Sequence, residues 1–150
     1  MLDITFNRQE KQYEWTDPDS GEVLTAPAGA ANKAALFRTA IGLLDPELDT
    51  AAQRIIERHP QLERVTWKAV ELVAAGAVDV FDAPRAGVWA MVDSQSDGYG
   101  RYAITNDGGY FACQCQHFVG MTAPITEEGN RYCKHIVAMH LWKVTKENRF

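Results

Sequence analysis

Cys113, Cys115, Cys133 and His135 constrain the fold of this chain more than any other residues. They form two pairs, Cys-x-Cys and Cys-x-His, separated by residues 116–132, and they include all 3 cysteines of the sequence. Three soft thiolates and a borderline imidazole are the donors that zinc takes when it closes a tetrahedral shell without water. To use them, the chain must bring two distant pairs within a few ångströms, which predicts a tightly folded intervening loop. Gly120 and Gly129 stand in that loop. One structural zinc ion is therefore expected, held by Cys113, Cys115, Cys133 and His135.

An odd cysteine count does not suit a disulfide framework, and Cys-x-Cys is an awkward spacing for an internal bridge. Reduced thiols point to a cytoplasmic setting. Residues 1–6 lack a basic stretch followed by an apolar one, so no signal peptide is expected. No apolar run approaches the roughly 18 residues of a membrane span. The 150 residues, 46% hydrophobic, suffice for one core, or for two small ones if a metal supports the smaller. The net charge of −5 argues against nucleic-acid binding by bulk electrostatics. It is uneven: residues 1–85 carry 9 basic and 14 acidic side chains, residues 86–150 carry 6 of each.

The opening stretch reads as an antiparallel meander. Ile4-Thr-Phe6 and Tyr13-Glu-Trp15 alternate, Asp17-Pro-Asp-Ser-Gly21 is a turn, and Glu22-Val-Leu-Thr25 returns. From Gly29 the period becomes helical, with Ala34, Phe37, Ile41 and Leu44 on one stripe. Asp45-Pro46 predicts an N-cap and first position for a second helix, which should end near His59 because Pro60 follows. Leu62, Val65, Ala69, Leu72 and Val73 mark a third helix, closed by Gly76. A boundary is placed at residues 83–87. Beyond it, strands are expected over 88–92, 101–105 and 110–113, with a loop over 94–100 and a turn at Asn106-Asp-Gly-Gly109. Ile136, Val137, Met139, Leu141 and Val144 suit a terminal helix, with Cys133 just before it and His135 in its first turn, where the positive helix end favours thiolate. The expectation is an α+β protein: a β-meander plus three-helix domain over 1–86, then a metal-binding module over 87–150.

Cys113-Gln-Cys115-Gln-His-Phe118 followed by Cys133-Lys-His135-Ile-Val-Ala138 resembles the SWIM zinc finger, whose pattern is Cys-x-Cys, a variable gap, then Cys-x-His. Val92-x-Ser94 and Tyr102-Ala-Ile104 resemble the strands that precede its first ligands. The resemblance covers residues 87–145 and departs at Gln116, where proline is common. It implies a ββα zinc fold and a generic role in binding DNA or proteins. Residues 1–86 resemble no family.

A closed zinc shell leaves neither Cys133 nor His135 free as nucleophile and base, so the chain reads as non-enzymatic. A thiol-dependent enzyme is the remote alternative. His140, one turn beyond His135, reads as a packed or solvated helix residue, and His117 as part of the loop surface. Arg131, Lys134, Lys143, Lys146 and Arg149 are the candidates for a basic patch. Trp142 is a candidate anchor for a partner. The acidic pairs Asp17/Asp19 and Glu127/Glu128 read as turn and loop residues. The expected partner is a protein or nucleoprotein complex, with direct DNA binding through the terminal helix and inter-ligand loop as the rival.

Overall fold

The computed structural model describes residues 2–93 and 100–146. The loop expected over 94–100 lies outside these residues except for Gly100, as do Ser94 and Arg149. The described residues form an α+β fold with two antiparallel sheets and five α-helices. No described helix is long and apolar enough to cross a membrane. The chain divides into two compact units, residues 1–50 and 51–150.

The first unit begins with the expected meander: β1 (Thr5–Asn7), β2 (Gln12–Thr16) and β3 (Val23–Pro27) pair in that order. The β2–β3 turn closes by the Gly21 N–H donating to the Asp17 carbonyl, with Gly21 at φ 76. Helix α1 (Ala30–Leu44) covers the meander through Leu36, Ala40 and Leu44, which gather with Tyr13, Leu24 and Ala26 around buried Trp15. Of the stripe expected at Ala34, Phe37, Ile41 and Leu44, Ile41 is buried and Leu44 packs on this core, while the first half of the buried face shifts to Leu36 and Ala40. Ala34 is exposed and Phe37 half-buried, because the indole of Trp15 takes the neighbouring 36/40/44 row, also one turn apart. Asp45 closes α1 and opens α2 (Pro46–Arg58), its carboxylate accepting from the Leu48 N–H while Pro46 takes the first position.

The second unit takes in α2 from Ala51 onward and everything after it. A single 3-10 turn (Pro60–Leu62) leads into α3 (Glu63–Ala74), which buries Thr66, Ala69, Val70, Leu72 and Val73. Its end is a Schellman closure: Gly76, at φ 70, donates to Val73, and Ala77 donates to Leu72. A four-stranded meander follows, β4 (Val78–Arg85), β5 (Val88–Asp93), β6 (Arg101–Asp107) and β7 (Tyr110–Cys113). Strand β4 is not among the strands read from the sequence. The boundary expected at 86/87 falls on the two-residue turn that joins β4 to β5, while the compact units divide at 50/51. Gly108 and Gly109, both at positive φ, make the equivalent turn between β6 and β7.

Helix α5 (Lys134–Thr145) packs on this sheet and against α3. Its buried residues include His135, Ile136, Val137, Ala138, Met139, Leu141 and Thr145, so it is apolar around most of its circumference. That is the pattern of a helix enclosed on several sides, not of a surface helix. The sheet meets it with Val78, Ala90, Val92 and Ile104, all buried. Each large side chain fully withdrawn from water here contributes roughly 1.5–3 kcal/mol.

Candidate metal centre

Two local devices deliver the ligands. Cys113 ends β7 opposite Ile104, and Cys115 caps the short helix α4 (Gln116–Val119). Cys133 caps α5 and His135 is its second residue. Between the pairs, residues 116–132 fold back on themselves. His117 accepts from the N–H groups of Thr122 and Ala123 through its carbonyl, and the Tyr132 N–H donates to Pro124. Arg131 ties the loop further, its Nη1 donating to the carbonyls of Met121 and Ala123.

The outcome is one cluster in which the four potential ligand atoms all lie within 4.8 Å of one another and all four residues are buried. The imidazole Nδ1 faces the sulfurs, 3.7 Å from Cys113 Sγ and 3.8 Å from Cys133 Sγ. A tetrahedral ion with bonds of ~2.3 Å to sulfur and ~2.0 Å to nitrogen requires sulfur–nitrogen edges of about 3.5 Å. The residues thus fit one metal ion. No further Cys, His, Asp or Glu joins the group among the described residues.

The chemistry of the donors also calls for a cation. The neighbouring Cys113 and Cys133 thiols hold Cys115 far below the ordinary thiol range. The converse is that sharing with Cys115 pushes Cys113 up to about 11, and sharing with Cys113 and then Cys115 raises Cys133. Three sulfurs packed together ionise one at a time unless a positive ion compensates them. The backbone is already arranged for that charge. The N–H groups of Cys115, Phe118 and Ile136 favour the thiolates of Cys113, Cys115 and Cys133 respectively. Two of these donors, Phe118 and Ile136, belong to the first turns of α4 and α5, and the Phe118 N–H also donates to the Cys115 carbonyl. The Tyr102 ring packs 4.8 Å from that of His135, fixing the plane of the imidazole. The His135 Nε2 is buried without a protein partner, and a metal on Nδ1 would leave the ring proton on that atom.

Compared with protein families, curated proteins and solved structures, the chain matches none. Its function must be argued from the site itself.

His140 stays out of the cluster. It packs edge-on against Phe111, 5.1 Å away, and near Tyr132, and burial followed by the charge of Lys143 lowers its pKa to about 4. His117 is exposed and its Nδ1 lies 3.2 Å from the Thr122 hydroxyl. The cations expected to form a basic patch have separate duties. Arg131 holds the loop, Lys143 lies 5.2 Å from the Trp89 ring centre, and Lys146 is engaged. Lys134 instead lines a cleft with Arg64 and Lys68 of α3. The sequence reading missed those two, although their spacing of four puts them on one helix face. It also missed the peptide donors around the sulfurs, which depend on where α4 and α5 begin.

Proposed function

We propose that this protein is a non-enzymatic zinc-binding interaction module of the SWIM type, with a protein or nucleoprotein complex as partner. The observation that carries this reading is the closed, buried set of three cysteines and one histidine. Zinc suits it because that ion favours tetrahedral thiolate–imidazole sites and needs no open position in a structural role. The order of delivery, strand end then helix start, supports the SWIM likeness. With all four donors occupied, no thiol remains as a nucleophile, and the zinc supplies folding free energy instead of chemistry.

The inter-ligand loop supports a protein partner. Val119, Met121 and Ile125 are 67%, 71% and 45% exposed, and Met121 is held outward from a backbone at φ 59. Apolar side chains left in water on a loop that the metal rigidifies suit contact with another apolar surface. The acidic Glu127 and Glu128 on the same loop disfavour a phosphate backbone.

Affinity capture with the zinc-loaded full chain tests this reading. Val119→Asp together with Met121→Asp should abolish capture of the partner at unchanged metal content. Alkylation distinguishes the enzymatic rival: the thiols should react only after a chelator is added, and a fast-reacting cysteine in the zinc-loaded protein would reject the proposal. Titration with labelled duplex DNA at two salt concentrations addresses the other rival. Micromolar binding with a steep salt slope would reject the protein-partner reading.

A further inference from the structure

A cleft beside the metal centre gathers three cations that form no ion pair among the described residues. It encloses about 470 Å³ between α3 and the inter-ligand loop, and Arg64, Lys68 and Lys134 line it with Gln61, His117 and Thr122. Among the described residues no Asp or Glu lines it, and the sulfur that does, that of Cys133, belongs to the metal centre. Among the described residues, none of the three cations forms an ion pair, unlike Arg101, which pairs with Asp93. This clustering is not a background of basic residues, because residues 51–150 hold 11 acidic and 11 basic side chains.

We propose that this cleft binds a phosphomonoester, seating its phosphoryl group among Arg64, Lys68 and Lys134. Arg64 and Lys68 stand four residues apart on α3, where like charges repel and a shared anion relieves the repulsion. Arg64 offers the planar fork that matches two phosphate oxygens, while Lys68 and Lys134 add compact charges. Lys134 is the first residue of α5, so the positive end of that twelve-residue helix reinforces the site. Val65, Ala123 and Pro124 add an apolar wall, which suits the organic part of a phosphorylated small molecule.

The convergence of the cations on one concavity favours a single dianionic group over a polymer. A nucleic-acid track requires a line of free cations along the surface, and the remaining candidates on α5, Lys143 and Lys146, are engaged elsewhere. The inference stands on the cleft alone and does not depend on the identity of the protein partner.

The test uses zinc-loaded full-length protein and amide NMR shifts, with adenosine 5′-monophosphate, inorganic phosphate and sulfate as probes at equal ionic strength, and duplex DNA as a fourth. Saturable shifts at the amides of residues 64, 68 and 134 are expected with the monophosphate, weaker ones with inorganic phosphate, and the weakest with sulfate. Arg64→Gln and Lys68→Gln should each weaken monophosphate binding about tenfold, at unchanged zinc content, while Lys143→Gln leaves it unaltered. Equal responses to sulfate and monophosphate, no saturable shift, or shifts insensitive to Arg64→Gln would overturn the proposal. Tight, salt-sensitive binding of duplex DNA through these residues without monophosphate binding would overturn it in favour of a nucleic-acid site.

Discussion

Both compact units bury an apolar core, but only one of them also buries a cluster of ionisable side chains. Residues 1–50 use an apolar core, in which Trp15, Leu36 and Ala40 are enclosed between a meander and one helix. Residues 51–150 place three cysteines and a histidine at the hub of a sheet and a buried helix. Charge separates them as well: residues 1–50 carry 9 acidic and 4 basic side chains and so the whole net charge of −5, while residues 51–150 are balanced. The comparison teaches that an apolar core needs no ion to hold it, whereas three clustered thiols can carry their full thiolate charge in the interior only with a cation to compensate it.

The largest expected effect comes from the hub. Structural zinc is worth on the order of 10 kcal/mol in small domains, more than most domains have in reserve. Cys133→Ser, or a strong chelator, should therefore melt residues 51–150 while Trp15 keeps its native fluorescence. Simultaneous loss of the Trp15 signal would show that the units do not fold separately. The reciprocal change is Trp15→Ala, which should cost roughly 3–5 kcal/mol through lost burial and a cavity. It should disorder residues 1–50 and leave the metal content unchanged. A variant that loses its metal would erase the contrast.

Acid sharpens the contrast further. His140 is neutral in the fold with a pKa of about 4, against an ordinary value of 6.5, because burial and then Lys143 disfavour its charged form. The unfolded chain takes up this proton first as pH falls. The contribution is therefore complete above pH 6.5 and is lost between there and pH 4, reaching roughly 3 kcal/mol at most. Urea midpoints at neutral and mildly acid pH should diverge less in His140→Gln than in the wild type. Metal release is common to both proteins, so an equal divergence would refute this role for His140. The smallest expected effect is at Ala86, which sits at φ 53 in the β4–β5 turn. Ala86→Gly should raise the melting midpoint, by roughly 0.5–1 kcal/mol of stability, because glycine adopts that backbone without strain. A lowered midpoint would count against the strained turn.

Much of this organisation is legible in the residues. Punctuation at Asp45-Pro46, His59-Pro60 and Gly76 marks helix ends because each acts on its own backbone. The meander of residues 5–27 and the ligand positions at the end of β7 and the start of α5 follow from local alternation and spacing. What escaped depends on partners distant in sequence. Strand β4 begins with Val78-Asp-Val80, yet its last exposed residues, Asp82 to Arg85, include Pro84 and read as a linker. The packing of α3 on α5 could not be read from either helix alone. The burial of Leu36 and Ala40 in place of Ala34 depends on where Trp15 lies. The cleft cations escaped for the same reason, since Lys134 meets Arg64 and Lys68 only in the folded chain.

The central claim is tested most directly by metal analysis of purified full-length protein, combined with cobalt substitution. One zinc ion per chain is expected, and the cobalt form should show the intense bands of a tetrahedral ion bound by three thiolates and one imidazole, lost together with the fold of residues 51–150 on chelation. A metal-free protein that remains folded throughout, with its three thiols open to alkylation, would contradict the account.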